Sequence, residues 1–365
     1  MIRSCFICIP FAVGLLVVLG LAFPRCRQLQ VRTRTRAVWT IVILFCSSKF
    51  LFFRVFGGDE FNPDLPTAVI WIWDWLYSGA MLTAALALVT VFVRSRAKLW
   101  ILPALAWGMS AVGLYNGFSV PEVREVELAY AGLPASLEGY RIVQLSDLHC
   151  SSAARRWRTQ AVVDVVNGLD ADLVCLTGDY VDGLARNLAD DLFPLTALRA
   201  KDGVCCIRGN HEYYGDWLAW REWYEANGFR MLVNECVFPR KRLAVGGVND
   251  DVAARRLGDV QADVGQAFAA ATNGEFRILL EHRPICAYTN LVEHGVDLQL
   301  SGHTHGGVAP LIDRVVALRN RGYVRGEYRI DGRVLYVSSG CGQWVGFPMR
   351  FFNDSEITLL TLRRK

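Results

Sequence analysis

The sequence predicts an N-terminal transmembrane region followed by an α/β domain. Apolar residues make up 53% of the 365-residue chain, and the excess is concentrated in the first third. Beyond that third, short apolar runs repeatedly end at polar clusters, and the segments 155–169 and 184–200 between them have helical spacing. We therefore expect a transmembrane region over residues 1–118 and a separate domain over residues 119–365. The near balance of 39 Lys and Arg against 35 Asp and Glu argues against a nucleic-acid partner.

Four apolar stretches are long enough to cross a membrane, which requires about 20 residues per helix. They cover residues 4–24, 37–56, 67–93 and 99–118. The first is also compatible with a cleavable signal peptide, but its apolar core is long, no small-residue cleavage site follows, and three more stretches come after it. The sequence therefore predicts four spanning helices and an integral protein of a bacterial inner or plasma membrane.

Basic residues in the short loops predict the orientation. Five arginines follow the first stretch and three basic residues follow the third, whereas the opposite side carries Arg3 and the acidic loop GGDEFNPDLP. Because positively charged loops remain in the cytoplasm, both termini and the domain after residue 118 are expected on the outer, periplasmic face.

Two charged residues, Lys49 and Asp74, interrupt the predicted spans. Each lies seven residues from the outer end of its span, so the two are expected at similar depth. An intramembrane charge is costly enough to need a partner, and we hypothesise that they form an ion pair. In the alternative, Lys49 extends to the surface and Asp74 lies nearer the interface among neighbouring tryptophans.

The eleven cysteines do not suggest a disulfide framework. Four lie in or beside the spans, and most of the other seven fall within apolar runs. Buried free thiols are therefore the expected state.

The candidate site residues follow five predicted strands. The five runs are YRIVQLSDLH, ADLVCLTGD, GVCCIRGNH, FRILLEHRP and VDLQLSGHTH. Their apolar parts lack strict alternation, which is typical of strands buried on both faces. The polar residues at their ends are Asp147, His149, Asp179, Asn210, His211, His282, His303 and His305. Such a cluster of buried polar groups is costly unless something satisfies it, and divalent cations do so.

The spacing and chemistry of these residues suit two ions. Asp-x-His at 147–149 and His-x-His at 303–305 place alternate side chains on one face of an extended segment. The donors are nitrogen and oxygen without thiolate, which favours manganese, iron or zinc over a structural cysteine-zinc site. Two ions about 3.5 to 4 Å apart that share a carboxylate would use all the donors, and such pairs suit phosphoryl hydrolysis.

Glycines stand directly before three of the ligand clusters. Gly178, Gly209 and Gly302 permit tight turns and close backbone approach there. The sixth histidine, His294, has no such context and is expected at the surface.

Read together, the motifs SDLH, GDYVD, GNHEYY, LLEHRP and LSGHTHGG resemble, in this order, the signature of the calcineurin-like metallophosphoesterases. The resemblance covers residues 120–363, and the segments that flank the motifs are similar to the YkuE/YaeI-type, membrane-associated branch. It implies a layered β-sandwich flanked by helices and a metal-dependent phosphoesterase activity.

The resemblance also implies roles for the site residues. One ion would be held by Asp147, His149 and His305, and the other by Asn210, His282 and His303. Asp179 would bridge the two ions, of which manganese is preferred. His211 would lie over the substrate phosphate as general acid or charge stabiliser, or alternatively would orient Asn210. A water or hydroxide between the ions would attack phosphorus.

Two departures from the family pattern bear on substrate shape and metal type. Val308 stands where the branch usually has glutamine, and residue 182 is aspartate rather than the tyrosine that purple acid phosphatases use as an iron ligand. We therefore expect a divalent pair without a tyrosinate chromophore.

Membrane attachment makes a lipid-linked or cell-envelope phosphodiester or pyrophosphate the preferred substrate class. The alternatives are a non-catalytic metal-binding interaction module on the same fold and a phosphodiesterase with a soluble substrate. A different dinuclear metallohydrolase is disfavoured because its motif, His-x-His-x-Asp-His, is absent from the sequence. The sequence does not indicate the oligomeric state.

The aromatic stretch at 213–229, YYGDWLAWREWYEANGF, permits two interpretations. It contacts the membrane or an acyl chain, or it is an amphipathic helix that buries Trp217, Trp220 and Tyr224. The spacings of three and four residues favour the buried helix.

Overall fold

Two units make up the chain in the computed structural model, which describes residue 38 and residues 41–42, 44–89 and 98–365. The first unit extends to Phe118 and includes the later segment Trp344–Met349. The second unit contains Ser119–Gln343 and Arg350–Lys365. No feature of the sequence indicates that the segment 344–349 belongs with the N-terminal region.

Three helices fall within the described part of the first unit. They are α1 (Lys49–Phe56), α2 (Thr67–Val89) and α3 (Lys98–Phe118). Within the described ranges, one helical segment, Thr67–Leu86, is long and apolar enough to cross a membrane. The first predicted span, at 4–24, lies outside the described residues, and the four-helix transmembrane region remains a prediction.

The ion pair between Lys49 and Asp74 is present in the first unit. Lys49 Nζ lies 2.6 Å from Asp74 Oδ1, and both side chains are fully buried. The same ammonium group donates a hydrogen bond of 2.6 Å to the carbonyl oxygen of Val345. It also lies 5.0 Å from the ring centres of Phe50 and Tyr77, within the range of cation–π attraction. The alternative, in which Lys49 extends to the surface, is therefore wrong.

Two mixed sheets form the second unit. The first sheet has the order β1 (Glu122–Tyr130), β11 (Glu356–Arg364), β2 (Arg141–Leu145), β3 (Leu173–Leu176), β4 (Val204–Cys206). The second has the order β5 (Glu235–Arg240), β6 (Leu243–Gly247), β7 (Phe276–Leu280), β8 (Leu298–Ser301), β10 (Arg333–Val337), β9 (Gly326–Ile330). Strands β2, β3 and β4 are parallel to one another, as are β6, β7, β8 and β10.

The two sheets pack face to face, with helices on their outer faces. Apolar side chains from both sheets, among them Ile142 and Leu173 from the first and Ile278 and Leu298 from the second, form one buried cluster. The helices of this unit are α4 (Arg156–Asn167), α5 (Ala185–Leu192), α6 (Trp217–Ala226), α7 (Asp251–Leu257), α8 (Val264–Ala267) and α9 (Ile312–Arg319). Residues of α4, α5 and α6 pack on the first sheet, and residues of α8 pack on the second. This is the predicted layered sandwich.

All five predicted ligand-bearing strands form where expected. β2, β3 and β8 are buried along almost their whole length, in accordance with predicted runs that lack strict alternation. In each sheet these strands are parallel, so their carboxyl ends meet at one edge, and the polar clusters follow there.

The aromatic stretch forms the buried helix. Trp220 and Tyr224 of α6 are each 1% exposed. Trp217 is partly buried and packs beside Tyr213 and Ala253. The amphipathic interpretation is therefore confirmed.

The eight cysteines within the described ranges are free thiols, as predicted. Cys150, Cys175 and Cys341 are among the buried ones. Cys286 is exposed, which corrects the expectation drawn from its apolar run, because it lies in a short 3₁₀ turn after His282.

Candidate metal centre

The first predicted ligand group comes together in the structure. Donor atoms of Asp147, His149 and His305 all lie within 4.8 Å of one another. His149 Nε2 is 3.1 Å from His305 Nε2, and His305 Nε2 is 3.6 Å from Asp147 Oδ1. Asp147 and His149 are completely buried, and His305 is 13% exposed at its side chain.

A second group contains Asp179, His282 and His303, whose donor atoms likewise lie within 4.8 Å of one another. His282 Nε2 is 3.1 Å from Asp179 Oδ2. The backbone N–H of His303 donates to both carboxylate oxygens of Asp147 at 3.1 Å, so the two groups are in direct contact.

Asn210, the remaining predicted ligand, reaches the second group through Arg283. The Arg283 guanidinium donates to Asn210 Oδ1 at 3.0 Å and to His303 Nε2 at 2.9 Å. Its Nε lies 2.5 Å from Asp250 Oδ2, a fully buried carboxylate. Arg283 therefore brings a positive charge to the ligands that were predicted for the second ion.

Hydrogen bonds at the far side of two imidazole rings fix which nitrogen is available. His282 Nδ1 lies 2.8 Å from the carbonyl oxygen of Thr177, and His149 Nδ1 lies 3.0 Å from Asp182 Oδ1. A carbonyl or carboxylate oxygen only accepts, so Nδ1 carries the proton in both rings. Nε2 is then the donor atom that each ring offers to a metal ion.

The backbone adopts the left-handed region at most of the predicted ligands. Their φ angles are 51° at Asp147, 47° at His149, 57° at Asp179, 70° at His303 and 48° at His305. Aspartate and histidine enter this region more readily than most side chains, but at a cost that is usually accepted only at functional sites.

Two glycines allow the loops to approach these ligands. A Cβ at Gly209 would lie 2.2 Å from Asp179 Oδ1, and a Cβ at Gly302 would lie 2.3 Å from Asp147 Oδ2. Any other residue at either position would collide with a ligand carboxylate. The predicted close approach of the backbone is therefore confirmed at both positions.

His211 lies beside the first group and shares a carboxylate with it. Its Nδ1 is 2.5 Å from Asp182 Oδ1, the same oxygen that contacts His149, and its Nε2 is 3.9 Å from Asp179 Oδ2. Burial lowers the pKa of His211, but the carboxylates of Asp179 and Asp182 outweigh this and raise the pKa to about 9. His211 is therefore a protonated imidazolium at neutral pH in the metal-free chain. Burial raises the pKa of Asp182, but His149 and His211 lower it to about 2.

The other ligand histidines differ in charge. Burial lowers the pKa of His282, but Asp179 outweighs this and raises the pKa to about 10. Burial and the charge of Arg283 hold the pKa of His303 well below its ordinary value. Burial, His149 and Arg350 do the same for His305. Two of these ligands are thus already in the neutral form that metal binding requires.

The arrangement fits a pair of metal ions. His282 Nε2 is buried and makes no hydrogen bond within the described residues, although it faces the Asp179 carboxylate. The 3.1 Å between His149 Nε2 and His305 Nε2 matches two nitrogens that bind one ion at about 2.1 Å each. The donors are imidazole nitrogens and carboxylate or amide oxygens, as expected for manganese, iron or zinc.

Among the residues of the site that were not predicted from the sequence are Asp182, Glu212 and Arg283. The Glu212 carboxylate accepts backbone N–H bonds from Gly209, Asp179 and Tyr180, and so ties the ends of β3 and β4 together. Asp182, Glu212 and Arg283 each lie within three residues of a predicted ligand. That proximity is the feature of the sequence that could have indicated their place in the site. His294 is exposed, as predicted.

Comparison with known proteins agrees with this geometry. The family model described as calcineurin-like phosphoesterase matches residues 140–307. A metallophosphoesterase of Helicobacter pylori is 33% identical over 258 residues, which are 69% of this chain and 67% of that protein. The metallophosphoesterase YkuE of Bacillus subtilis is 30% identical over 71% of this chain and 94% of its own length. The chain belongs to the calcineurin-like metallophosphoesterase family.

A further relative, from Danio rerio, is named transmembrane protein with metallophosphoesterase domain. It is 34% identical over 268 residues, which are 70% of this chain and 60% of that protein. With family membership and the fitting donor groups, the chain is a metal-dependent phosphoester hydrolase.

Proposed function

We propose that the protein is a membrane-anchored phosphohydrolase with two divalent metal ions that cleaves phosphoester or pyrophosphate bonds of a lipid-linked or cell-envelope substrate. The observation that carries the proposal is the pair of adjoining ligand groups, Asp147, His149, His305 and Asp179, His282, His303. We assign Asn210 to the second group. We assign Asp179 as the shared carboxylate, because Asp179 Oδ2 lies between His282 and His211 and its charge also acts on His149. Manganese is the preferred ion, with iron or zinc as alternatives.

When bound, the two ions would lower the pKa of a water molecule and neutralise charge on the phosphoryl group. The protein supplies the remaining functions. Asp182 and Thr177 turn His149 and His282 so that Nε2 faces inward. The left-handed backbone at the ligands holds these side chains in place before substrate arrives.

His211 is placed to hold a proton for the leaving group. Its Nδ1 proton is held by Asp182, and its Nε2 lies on the side of Asp179, where a substrate phosphate would sit. In the metal-free chain the raised pKa of His211 keeps this nitrogen protonated at neutral pH. A proton donated from Nε2 to the departing oxygen would neutralise the alkoxide or phosphate that forms.

Arg283 is the cation assigned to the substrate phosphate. In the metal-free chain its guanidinium donates to Asn210 Oδ1 and His303 Nε2, the atoms assigned to the second ion, and Asp250 tethers it. The ion would take over both atoms and leave the guanidinium to the substrate phosphate. A guanidinium binds two phosphoryl oxygens at once, which orients the phosphorus atom for in-line attack.

The membrane part of the proposal rests on three observations. Thr67–Leu86 has the length and hydropathy of a spanning helix, the loops carry the charge asymmetry described above, and relatives are named transmembrane proteins. They support membrane attachment, and the loop charges favour a catalytic domain on the outer face, which would be the periplasmic face of a bacterial inner or plasma membrane. A domain tethered to a bilayer meets lipid-linked phosphates at high local concentration, which favours that substrate class.

The experiment is to incubate the full-length protein in mixed micelles of host lipid extract and bis(p-nitrophenyl) phosphate, with Mn²⁺ or with chelator. Products are identified by absorbance and by mass spectrometry. Asn210→Ala tests the site, and Asn273→Ala, which changes an exposed loop asparagine, is the matched control.

We expect a lipid product that forms only with Mn²⁺. The wild-type protein and Asn273→Ala should form it, and Asn210→Ala should not. Hydrolysis of the chromogenic diester alone would indicate a phosphodiesterase with a soluble substrate. If a folded, Mn²⁺-loaded protein hydrolysed neither compound, the proposal would be overturned, and the non-catalytic interaction module would be the remaining interpretation.

A further inference from the structure

Helix α9 exposes an apolar face to solvent. None of its residues is buried. Ile312, Val315 and Leu318 recur every three residues and therefore share one side of the helix. Val315 is 59% exposed and Leu318 84% exposed, and the preceding Leu311 is 69% exposed. Exposed apolar side chains grouped on one side of a helix are typical of an interaction surface.

Two arginines of the helix lie at this face. At about 100° per residue, Arg319 lies between Val315 and Ile312 on the helix surface, and Arg314 lies at the edge next to Leu318. We call Ile312, Val315, Leu318, Arg314 and Arg319 the basic apolar face. Two further exposed arginines follow at positions 321 and 325, and Asp313 is the single acidic residue in the sequence 308–325.

The segment that carries this face is fixed at its base beside the candidate metal centre. Thr304, which lies between His303 and His305, donates through Oγ1 to the carbonyl oxygen of Val324 at 2.6 Å. At the other end, Val308 has a φ of 61°, which is unusual for a β-branched residue and makes the turn towards α9 specific. The helix is therefore held as part of the rim of the site.

We propose that the basic apolar face docks on the surface of an anionic lipid membrane. Helices that combine exposed apolar side chains with arginines lie in the plane of the interface, with apolar side chains at the acyl boundary and guanidinium groups on lipid phosphates. The charge of the face is complementary to anionic headgroups. The same chain carries the apolar helix Thr67–Leu86, so a bilayer is the partner with the highest local concentration. Docking there would present the metal centre to headgroup phosphates.

This inference goes beyond the proposed hydrolysis, because the face would bind lipid whether or not the site is active. The test uses the full-length protein in nanodiscs of phosphatidylcholine, with or without phosphatidylglycerol. The photoreactive residue p-benzoylphenylalanine replaces Leu318 in one sample and Phe193, an exposed aromatic residue after α5, in the control. After irradiation, mass spectrometry identifies what has been attached.

Lipid adducts at position 318 but not at position 193, with higher yield in discs that contain phosphatidylglycerol, are the expected result. Each arginine at an anionic surface contributes about fivefold to binding, so the double substitution Arg314→Gln and Arg319→Gln should remove most of the phosphatidylglycerol effect. Equal adducts at the two positions, adducts to a protein chain, or no dependence on anionic lipid would overturn the proposal. Thermal unfolding of each variant verifies that the protein remains folded.

Discussion

Substitution of Asp182 by asparagine tests whether one buried carboxylate positions both a metal ligand and the assigned acid. Asp182 Oδ1 accepts from Nδ1 of His149 at 3.0 Å and from Nδ1 of His211 at 2.5 Å. The amide of asparagine has almost the same shape but no charge. Both hydrogen bonds therefore lose their electrostatic part, while the packing around residue 182 changes little.

The size of the effect follows from the bonds that are weakened. Hydrogen bonds to a charged group contribute about 1.5 to 3 kcal/mol, or about 10-fold to 150-fold, and loss of an outer-shell partner costs about 10-fold to 100-fold in metal affinity or activity. We expect kcat to fall about 10-fold to 100-fold and the affinity for Mn²⁺ to fall about tenfold. Because Asp182 helps to raise the pKa of His211, its loss lowers that pKa. The acid form of His211 is then lost at lower pH, and the alkaline limb of the pH–rate profile moves to lower pH.

The assay is steady-state kinetics across pH with two phosphodiesters, together with calorimetric titration of Mn²⁺. An alkyl leaving group needs a proton more than p-nitrophenolate does, so the loss of kcat should be larger for the alkyl ester. Asp190→Asn, an exposed position in α5, is the matched control. A folded Asp182→Asn protein with the wild-type kcat, pH profile and Mn²⁺ affinity would refute this reasoning.

Three more predictions follow from the described contacts. Arg283→Gln should raise KM about tenfold with a smaller change in kcat, because the substrate phosphate loses the cation that binds it. The exposed control Arg256→Gln should change neither constant. An unchanged KM in Arg283→Gln would show that Arg283 does not bind the phosphate. Mn²⁺ binding should release at least one proton and weaken as pH falls, because His282, with a pKa of about 10 without metal, must lose its proton to bind. Calorimetry in buffers of different ionisation enthalpy measures the number of protons released. Equal Mn²⁺ affinity at pH 6 and pH 8 would contradict the prediction. Lys49→Met or Asp74→Asn alone should destabilise the protein by about 3 to 5 kcal/mol, since each leaves a buried group unpaired, while Lys49→Met with Asp74→Leu should be closer to wild type. Thermal unfolding in detergent tests that pair, and wild-type stability of both single variants would show that the contact contributes little.

The parts of the site that could be predicted from the sequence are those fixed by the strands. Asp147, Asp179 and His282 each follow a buried apolar run, and the carboxyl ends of parallel strands meet at one edge of a sheet. The position of each ligand at the end of a buried run was therefore enough to predict that these side chains come together. The Lys49–Asp74 pair was predictable for a similar reason, because depth in a span can be counted along the chain.

Contacts that depend on loop conformation were not predictable in this way. Asp182 meets both His149 and His211 because the backbone turns at positive φ through Asp179. Arg283 reaches Asn210 across a sequence separation of 73 residues. Neither the residue spacing nor the apolar pattern carries information on such pairs.

No local sequence pattern predicts that Trp344–Met349 belongs to the first unit. The segment contacts that unit through Val345, whose carbonyl oxygen accepts from Lys49, and through Trp344, which stacks on Phe61 at 5.5 Å. Both contacts join residues that are almost 300 positions apart in sequence, beyond the reach of any periodicity.

The measurement that tests the central claim most directly is the number of metal ions per chain, determined by mass spectrometry of the elements, beside the rate of phosphodiester hydrolysis. The variants are Asp179→Ala and the exposed control Asp190→Ala. The two-ion site predicts about two ions per chain and full activity in the wild type and in the control. It predicts that Asp179→Ala loses both ions and the hydrolytic activity. A wild-type chain that binds a single ion, or an Asp179→Ala protein that remains active, would contradict it.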